Sequence, residues 1–211
     1  GLLRAELRAS MRPLGDLERL ANRVISGTAQ PRDLVAMRNY LRALPAIRTK
    51  ISLNLPALER ILTRMHDCSP ELELLETAIA DDPPATLQNT GVIRAGYSSE
   101  LDQVIESSTN AREWIGRLEQ VERERTGIKN LKVGYNKVFG YYIEISRGAA
   151  SQAPPEYIRT QPLVNAERFI TPEMKEYETL VLNAEERIRE IESRLFKEIC
   201  HHLGSSSRRL I

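Results

Sequence analysis

The chain has 211 residues, with 30 Lys+Arg against 29 Asp+Glu and a formal net charge of +1. That length suits one large domain or two small ones. With 41% hydrophobic and 28% charged residues, the composition excludes a disordered chain. No apolar run is long enough to span a bilayer and no signal-peptide pattern opens the sequence, which predicts a cytoplasmic protein without membrane contact. Cys68 and Cys200 fit neither a CxxC nor a metal-ligand spacing, so a reducing compartment and thiols outside any disulfide are expected. Aromatic residues make up 5%, so Leu, Ile and Val must fill the core, as long helices allow.

Charge is unevenly spread. Residues 129–170 hold six basic and three acidic residues, a net +3, whereas 1–128 and 171–211 are each −1. The one basic segment is also where the hydrophobic period changes.

Residues 1–80 read as successive helices. Leu14, Leu17, Leu20, Ala21, Val24 and Ile25 recur at helical spacing behind Asp16 and Glu18, and Gly27 is a plausible stop. Pro31 opens a helix with Leu34, Met37, Leu41 and Leu44 on one face, and Pro45 is expected to end or kink it. Further helices are predicted over 56–66, with Leu58, Ile61, Leu62 and Met65 inward, and over 70–80. The run Asp81-Asp82-Pro83-Pro84 breaks the pattern. Residues 85–99 look irregular. Ser98 or Ser99 then caps a long helix whose face runs Leu101, Val104/Ile105, Ser108, Ile115, Leu118 and Val121.

From Leu131 the period is two. Tyr142, Glu144 and Ser146 alternate with Tyr141, Ile143 and Ile145, and Asn136-Lys137 is read as a hairpin turn before them. A second pair, Thr160–Val164 and Glu167–Ile170, turns around Asn165-Ala166, with Asn chosen for its tolerance of positive φ. Thr171-Pro172-Glu173 then starts a helix of about eight turns, with Met174, Tyr177, Leu180/Val181, Ala184, Ile188, Ile191, Leu195 and Ile199 as its stripe. The predicted fold is mainly α: a helical bundle with two long antiparallel helices and a small antiparallel β module inserted between them. The predicted divisions are 1–116, 117–170 and 171–211.

No phosphate loop, HExxH or GxSxG motif is present. His201 and His202 are adjacent and point about 100° apart on a helix, so they share no ligand face. Asp81-Asp82 is read as solvated or capping. The tract Glu119–Arg125 is read as a solvated helix end with local ion pairs, the other reading being that Arg117, Arg123 or Arg125 faces an anion. Tyr141 and Tyr142 point to opposite faces of a strand and are expected to pack rather than stack bases. The two Asn-bearing turns lie on the only basic module, where side chains and turn amides can hold phosphate without reading sequence.

The run VGYNKVFGYYIEISRG, with the residues before it from Val121, closely resembles the clamp region of bacterial MutS DNA mismatch-repair proteins. YIRTQPLVNAERFITPEMKEYE from Tyr157 to Glu178 resembles the same family, as do GDLERL from Gly15, AQPRDL from Ala29 and GVIRAGY from Gly91. The resemblance runs along nearly the whole chain. It implies a helical lever domain carrying an inserted β clamp that grips the duplex DNA backbone without sequence preference. It implies a homodimer whose two clamps close around DNA, a MutL-like repair partner and an association with the nucleoid. Mismatch reading and ATP hydrolysis, with ATP and Mg, belong to other domains of the family. The chain is therefore expected to be a portion beginning and ending inside the lever domain, with no catalytic role and no cofactor of its own, and Gly204–Arg209 a helix end short of its native packing.

By the same resemblance, Arg117 and Asn165 match positions near the DNA-facing tip and Asn136 matches a family Asn. Lys137 and Phe139 depart from the small residue and the His usual there. Lys132, Arg147, Arg159 and Arg168 are added on charge alone. Long helices of roughly 30 residues would reach about 45 Å and could couple the tip to nucleotide-driven movement. The rival reading is a helical protein–protein interaction module whose β tip docks a partner protein. A weak salt dependence would distinguish it from phosphate binding.

Overall fold

The computed structural model describes residues 16–54 and 59–206, with Ala5, Arg8, Ala9 and Met11 before them. Leu14, Gly15, Pro56, Leu58, the Ile61 side chain and the tail from residue 207 lie outside the described residues. The chain divides into two compact units, Gly1–Ser99 with Arg189–Ile211, and Glu100–Ile188.

In the first unit, α1 (Leu17–Ile25) starts because Asp16 Oδ1 accepts the Arg19 N–H at 2.8 Å. It buries Leu20, Ala21 and Val24, while Ile25, expected inward, is 54% exposed. Gly27 ends it at φ 70°. The next helix, α2 (Pro31–Asn54), runs through Pro45 rather than stopping there. Burial of Leu34, Met37 and Leu41 before the proline, and of Ile47 and Ile51 after it, outweighs the lost backbone hydrogen bond. Of the helix predicted over 56–66, the described residues show α3 (Glu59–Leu62), with Thr63 and Arg64 already in a turn. Helix α4 (Ser69–Ala78) has Pro70 in its first turn and ends at an extended Ile79.

Two buried charges organise the irregular stretch after α4. Arg38, 2% exposed, donates to the Ile79 carbonyl at 2.8 Å and the Ala80 carbonyl at 3.3 Å. Asp81 is exposed, as the solvated reading expects, with its side chain 72% accessible, and it also pairs with Arg94 at 2.6 Å and Arg38 at 3.3 Å. Ile79 bridges Ile93 antiparallel, so residues 91–93 are held as a short strand-like segment. The carboxylate of Glu192, 2% exposed, accepts the N–H groups of Gly91, Val92 and Ile93 at 2.8–3.1 Å. These donors have no other strand to pair with, so the carboxylate takes the place of one.

The second unit is built on α5 (Ser99–Thr126), four strands and the first half of α6 (Pro172–Ser205). The strands β1 (Lys132–Asn136), β2 (Gly140–Ser146), β3 (Ile158–Pro162) and β4 (Ala166–Ile170) form one antiparallel sheet in the order β1-β2-β4-β3. A 3-10 segment, Arg147–Gln152, follows β2. Alternation in β2 is as predicted, with Ile143 and Ile145 fully buried. They pack with Leu118 of α5, Ile128, Leu131, Tyr157, Phe169 and Met174. Helix α5 presents a slightly rotated face: Glu122 is buried where Val121 was expected, and Val121 is 52% exposed. Helix α6 starts as predicted, with Thr171 Oγ1 accepting the Met174 N–H at 3.1 Å. Leu180 departs from the expected stripe at 48% exposed. Trp114 of α5 stacks on Tyr177 of α6 with centroids 4.1 Å apart. Cys68 and Cys200 are buried outside any disulfide, and burial pushes the Cys200 thiol up to about 11.

Glu192 carries a prediction. Burial pushes its carboxyl above the ordinary value of 4.5, against the three N–H bonds that lower it. Its folded pKa exceeds its unfolded one, so its contribution is complete below pH 4.5 and is lost as pH rises through the folded value. Glu192→Ala strands buried donors and is expected to cost about 1–3 kcal/mol. Glu192→Gln keeps an acceptor oxygen, so it should cost less and flatten that pH dependence. Urea unfolding of the three proteins between about pH 4 and 7 measures both.

Candidate nucleic-acid interface

The β2–β4 register fixes which charges can act together. Ser146 opposes Ala166 and Ile143 opposes Phe169. Because the pairing is antiparallel, the turn leading into β2 and the turn leading into β4 sit at opposite ends of the sheet. The two Asn turns therefore do not share a surface.

The first turn is 137–139, closed by the pair Asn136 and Gly140. It is not the two-residue reversal expected, and no residue other than glycine has positive φ among the described residues. Gly140 supplies the left-handed conformation, at φ 78°. Asn136 serves through its side chain: its Oδ1 accepts the Val138 N–H at 2.8 Å and the Phe139 N–H at 3.4 Å. The Phe139 carbonyl accepts Lys175 Nζ at 3.0 Å, so this turn lies along the first turns of α6. Lys137 is exposed there.

The second turn is 163–165, closed by the Leu163 N–H on the Ala166 carbonyl at 2.8 Å. The Asn165 carbonyl accepts the Arg147 N–H at 3.0 Å, and the Arg147 guanidinium reaches the Val164 carbonyl at 3.4 Å. Lys132 opens β1 at this same end. Two residues outside the sequence-predicted set join them. Asn130 donates to the Ser146 hydroxyl, which holds the 128–131 link against the end of β2 beside the exposed Lys129. Lys129 and Lys132 have no carboxylate within 4 Å among the described residues.

The other predicted cations are engaged. Arg159 pairs with Glu167 at 2.7 Å. Arg168 pairs with Glu144 at 3.0 Å, reaches Gln161 at 3.2 Å and lies 4.0 Å over the Tyr142 ring. Arg117 is on α5, 3.4 Å from Glu113, and lines a cleft away from the sheet's outer face.

The tract Glu119–Arg125 is a largely exposed helix end with local ion pairs, as expected, but Glu122 within it is buried. Glu122 accepts Arg125 at 2.7 Å and the Tyr157 hydroxyl, while Arg125 also holds Glu156 at 2.6 Å. Burial and the adjacent carboxylate push the Tyr157 hydroxyl well above its usual range. Arg123 donates to the Leu131 carbonyl at 2.7 Å, and Glu119 accepts the Val133 N–H at 2.9 Å. Together these fix β1 and the start of β3 against the end of α5. The sequence does not single out Glu122 as the buried member, because alternating charge looks the same whether buried or solvated. Among the described residues no three His, Cys, Asp or Glu gather as metal ligands, and no helix is long and apolar enough to cross a membrane.

Gly134 shows how tightly the outer face is packed. It opposes Tyr142, and a Cβ there would meet Tyr142 Cζ at 2.6 Å. Gly134→Ala is expected to displace the ring from beneath Arg168 and cost about 1–3 kcal/mol. Urea unfolding measures the loss, and an unchanged midpoint would show that the ring moves freely.

Residues 96–187 match the family described as MutS family domain IV, a range covering nearly all of the second unit. Relatives match far beyond it. The chain is 46% identical over 204 residues to a DNA mismatch repair protein MutS of Dehalococcoides mccartyi, covering 96% of this chain and 24% of that protein. It is 44% identical over 214 residues to the MutS of Methanosarcina barkeri, covering 99% of this chain and 24% of the relative. The MutS of Symbiobacterium thermophilum is 44% identical over 210 residues, with the same two shares, 99% and 24%. The chain thus spans about a quarter of the length of these relatives, 24%. Residues 96–187 thus match MutS family domain IV, and nearly the whole chain is similar, at 44–46% identity, to about a quarter, 24%, of these MutS proteins.

Proposed function

We propose that the second unit grips the phosphate backbone of duplex DNA through the sheet end that carries Lys129, Lys132, Arg147 and Asn165. The observation carrying this reading is the sorting of charge. The cations at that end keep no carboxylate partner among the described residues, while Arg159 and Arg168 are neutralised by Glu167 and Glu144. Cations left unpaired on a small sheet suit phosphate, which is held without sequence preference. Exposed turn amides and the Asn165 side chain add donors of the same kind.

In this reading the 211 residues contribute binding and no catalytic step. ATP and Mg act in other parts of longer family members. A second copy supplies the opposing half of the clamp. Helix α6 is 34 residues long, about 50 Å at 1.5 Å per residue, and with α5 it is the element suited to carry movement. A second reading rests on Val138 and Phe139, 80% and 59% exposed at the opposite sheet end, which suit contact with protein rather than with phosphate.

Fluorescence anisotropy of a short labelled homoduplex, from about 20 to 200 mM salt, tests the proposal. Binding is expected to weaken with a log–log slope of about −0.9 per phosphate contact. Lys132→Ala and Arg147→Ala should each weaken binding and reduce the slope by about 1. Lys137→Ala and Arg159→Ala should leave both unchanged. Salt-independent binding, equal losses from Lys137→Ala, or no binding at the lowest salt would contradict the assignment.

A further inference from the structure

Three charges stand in one row across the sheet. The register sets Lys132 opposite Glu144 and Glu144 opposite Arg168. Residues directly opposite in antiparallel strands share a face, here the one turned away from Ile143 and Ile145. The row runs cation, anion, cation, so two cations compete for one carboxylate. Glu144 Oε2 accepts the Arg168 Nε–H at 3.0 Å. Lys132, on its other side, has no carboxylate within 4 Å among the described residues.

Arg168 prevails because it is held ready. Its guanidinium also donates to Gln161 Oε1 at 3.2 Å and lies 4.0 Å over the Tyr142 ring. A planar guanidinium ordered on three sides loses little freedom in keeping a carboxylate, whereas an exposed lysine must order its whole stem. The backbone of Lys132 is fixed separately. Arg123 donates to the Leu131 carbonyl at 2.7 Å and Glu119 accepts the Val133 N–H at 2.9 Å, one residue to either side. Lys132 therefore keeps its place on β1 whichever cation Glu144 takes, and only the ammonium can change partner.

We infer that Arg168 is a positioning residue for phosphate binding: it holds Glu144 away from Lys132 and leaves the Lys132 ammonium free for a phosphate oxygen, without itself touching the DNA. This role rests on the proposed phosphate grip. Once the Arg168 charge is removed, Lys132 is the cation left opposite Glu144. Opposite charges directly across strands attract, and a lysine neutralised in this way adds little to phosphate binding. Arg159 supplies a control of equal charge. Its partner Glu167 opposes Ile145 on the covered face, so an unpaired Glu167 points away from Lys132.

The test measures homoduplex binding by anisotropy across the same salt range. Beside it, the acetylation rate of each lysine by acetic anhydride is read by mass spectrometry without DNA. Arg168→Met keeps an apolar cover over Tyr142 and loses the charge. It should reduce the salt slope by about 1, as Lys132→Ala does. It should also slow acetylation of Lys132 by about two- to fivefold, the worth of a cross-strand ion pair, with Lys129 unchanged. Arg168→Gln should act alike, so a chain that one change unfolds is still tested by the other. Adding Glu144→Gln should restore both readouts, Arg168→Lys should preserve both, and Arg159→Ala should move neither. In a Lys132→Ala chain, Arg168→Met should cost no further binding. Unchanged Lys132 acetylation in both Arg168 variants, no rescue by Glu144→Gln, or an additive loss in the Lys132→Ala chain, as from an Arg168 that meets phosphate directly, would overturn the inference. Undiminished binding by Lys132→Ala, with Lys132 acetylation still slowed by Arg168→Met, would instead overturn the phosphate grip and show that Arg168 does hold Glu144 off Lys132.

Discussion

The antiparallel pairing of β2 with β4 is the constraint on which the second unit depends. It joins two hairpins that would each be marginal alone into one four-stranded sheet. It places Ile143 beside Phe169 and so continues the apolar face that α5 and the start of α6 cover. It also decides the site. Lys132, Ser146, Arg147 and Asn165 fall at one end, and the Val138-Phe139 turn falls at the other. A parallel pairing would keep the composition of the module and lose this separation.

Electrostatic pairing refines what topology allows. The segment's +3 charge is not spread evenly over its surface, because two of its arginines face carboxylates across the strands. Cross-strand pairs of this kind contribute modestly to the sheet, and they leave those arginines less available to an external anion. Elsewhere carboxylates work inside the protein. Glu122 braces the end of α5 against Tyr157, and Glu192 stands in for a strand by accepting three successive backbone N–H groups. Both are buried where an isolated charge would be costly, and both are satisfied by several donors.

Much of the fold was legible because periodicity reports burial. The alternation through Ile143 and Ile145, the Thr171-Pro172 start of α6 and the Gly27 stop follow from local rules. The misses share a cause, which is that tertiary contacts override local preference. Pro45 sits inside α2 because flanking apolar residues hold the helix on both sides. Glu122 replaces Val121 on the buried face because Tyr157 and Arg125, the first far along the chain, supply its partners. In the site, residue types pointed correctly to a basic β module. The sequence could not say that its two turns lie apart, because that depends on the pairing of β2 with β4, strands not adjacent in the chain. Nor could it separate the engaged Arg168 from the unpaired Lys132.

The central claim is that one end of the sheet, and not the other, meets the phosphate backbone. Backbone amide chemical shifts of the 211-residue chain, followed while a short homoduplex is added at low salt, test it most directly. The largest changes are expected at Lys129, Lys132, Arg147 and Asn165, with Lys137, Val138 and Phe139 unmoved. Changes centred on 137–139, with the Arg147 end silent, would contradict it.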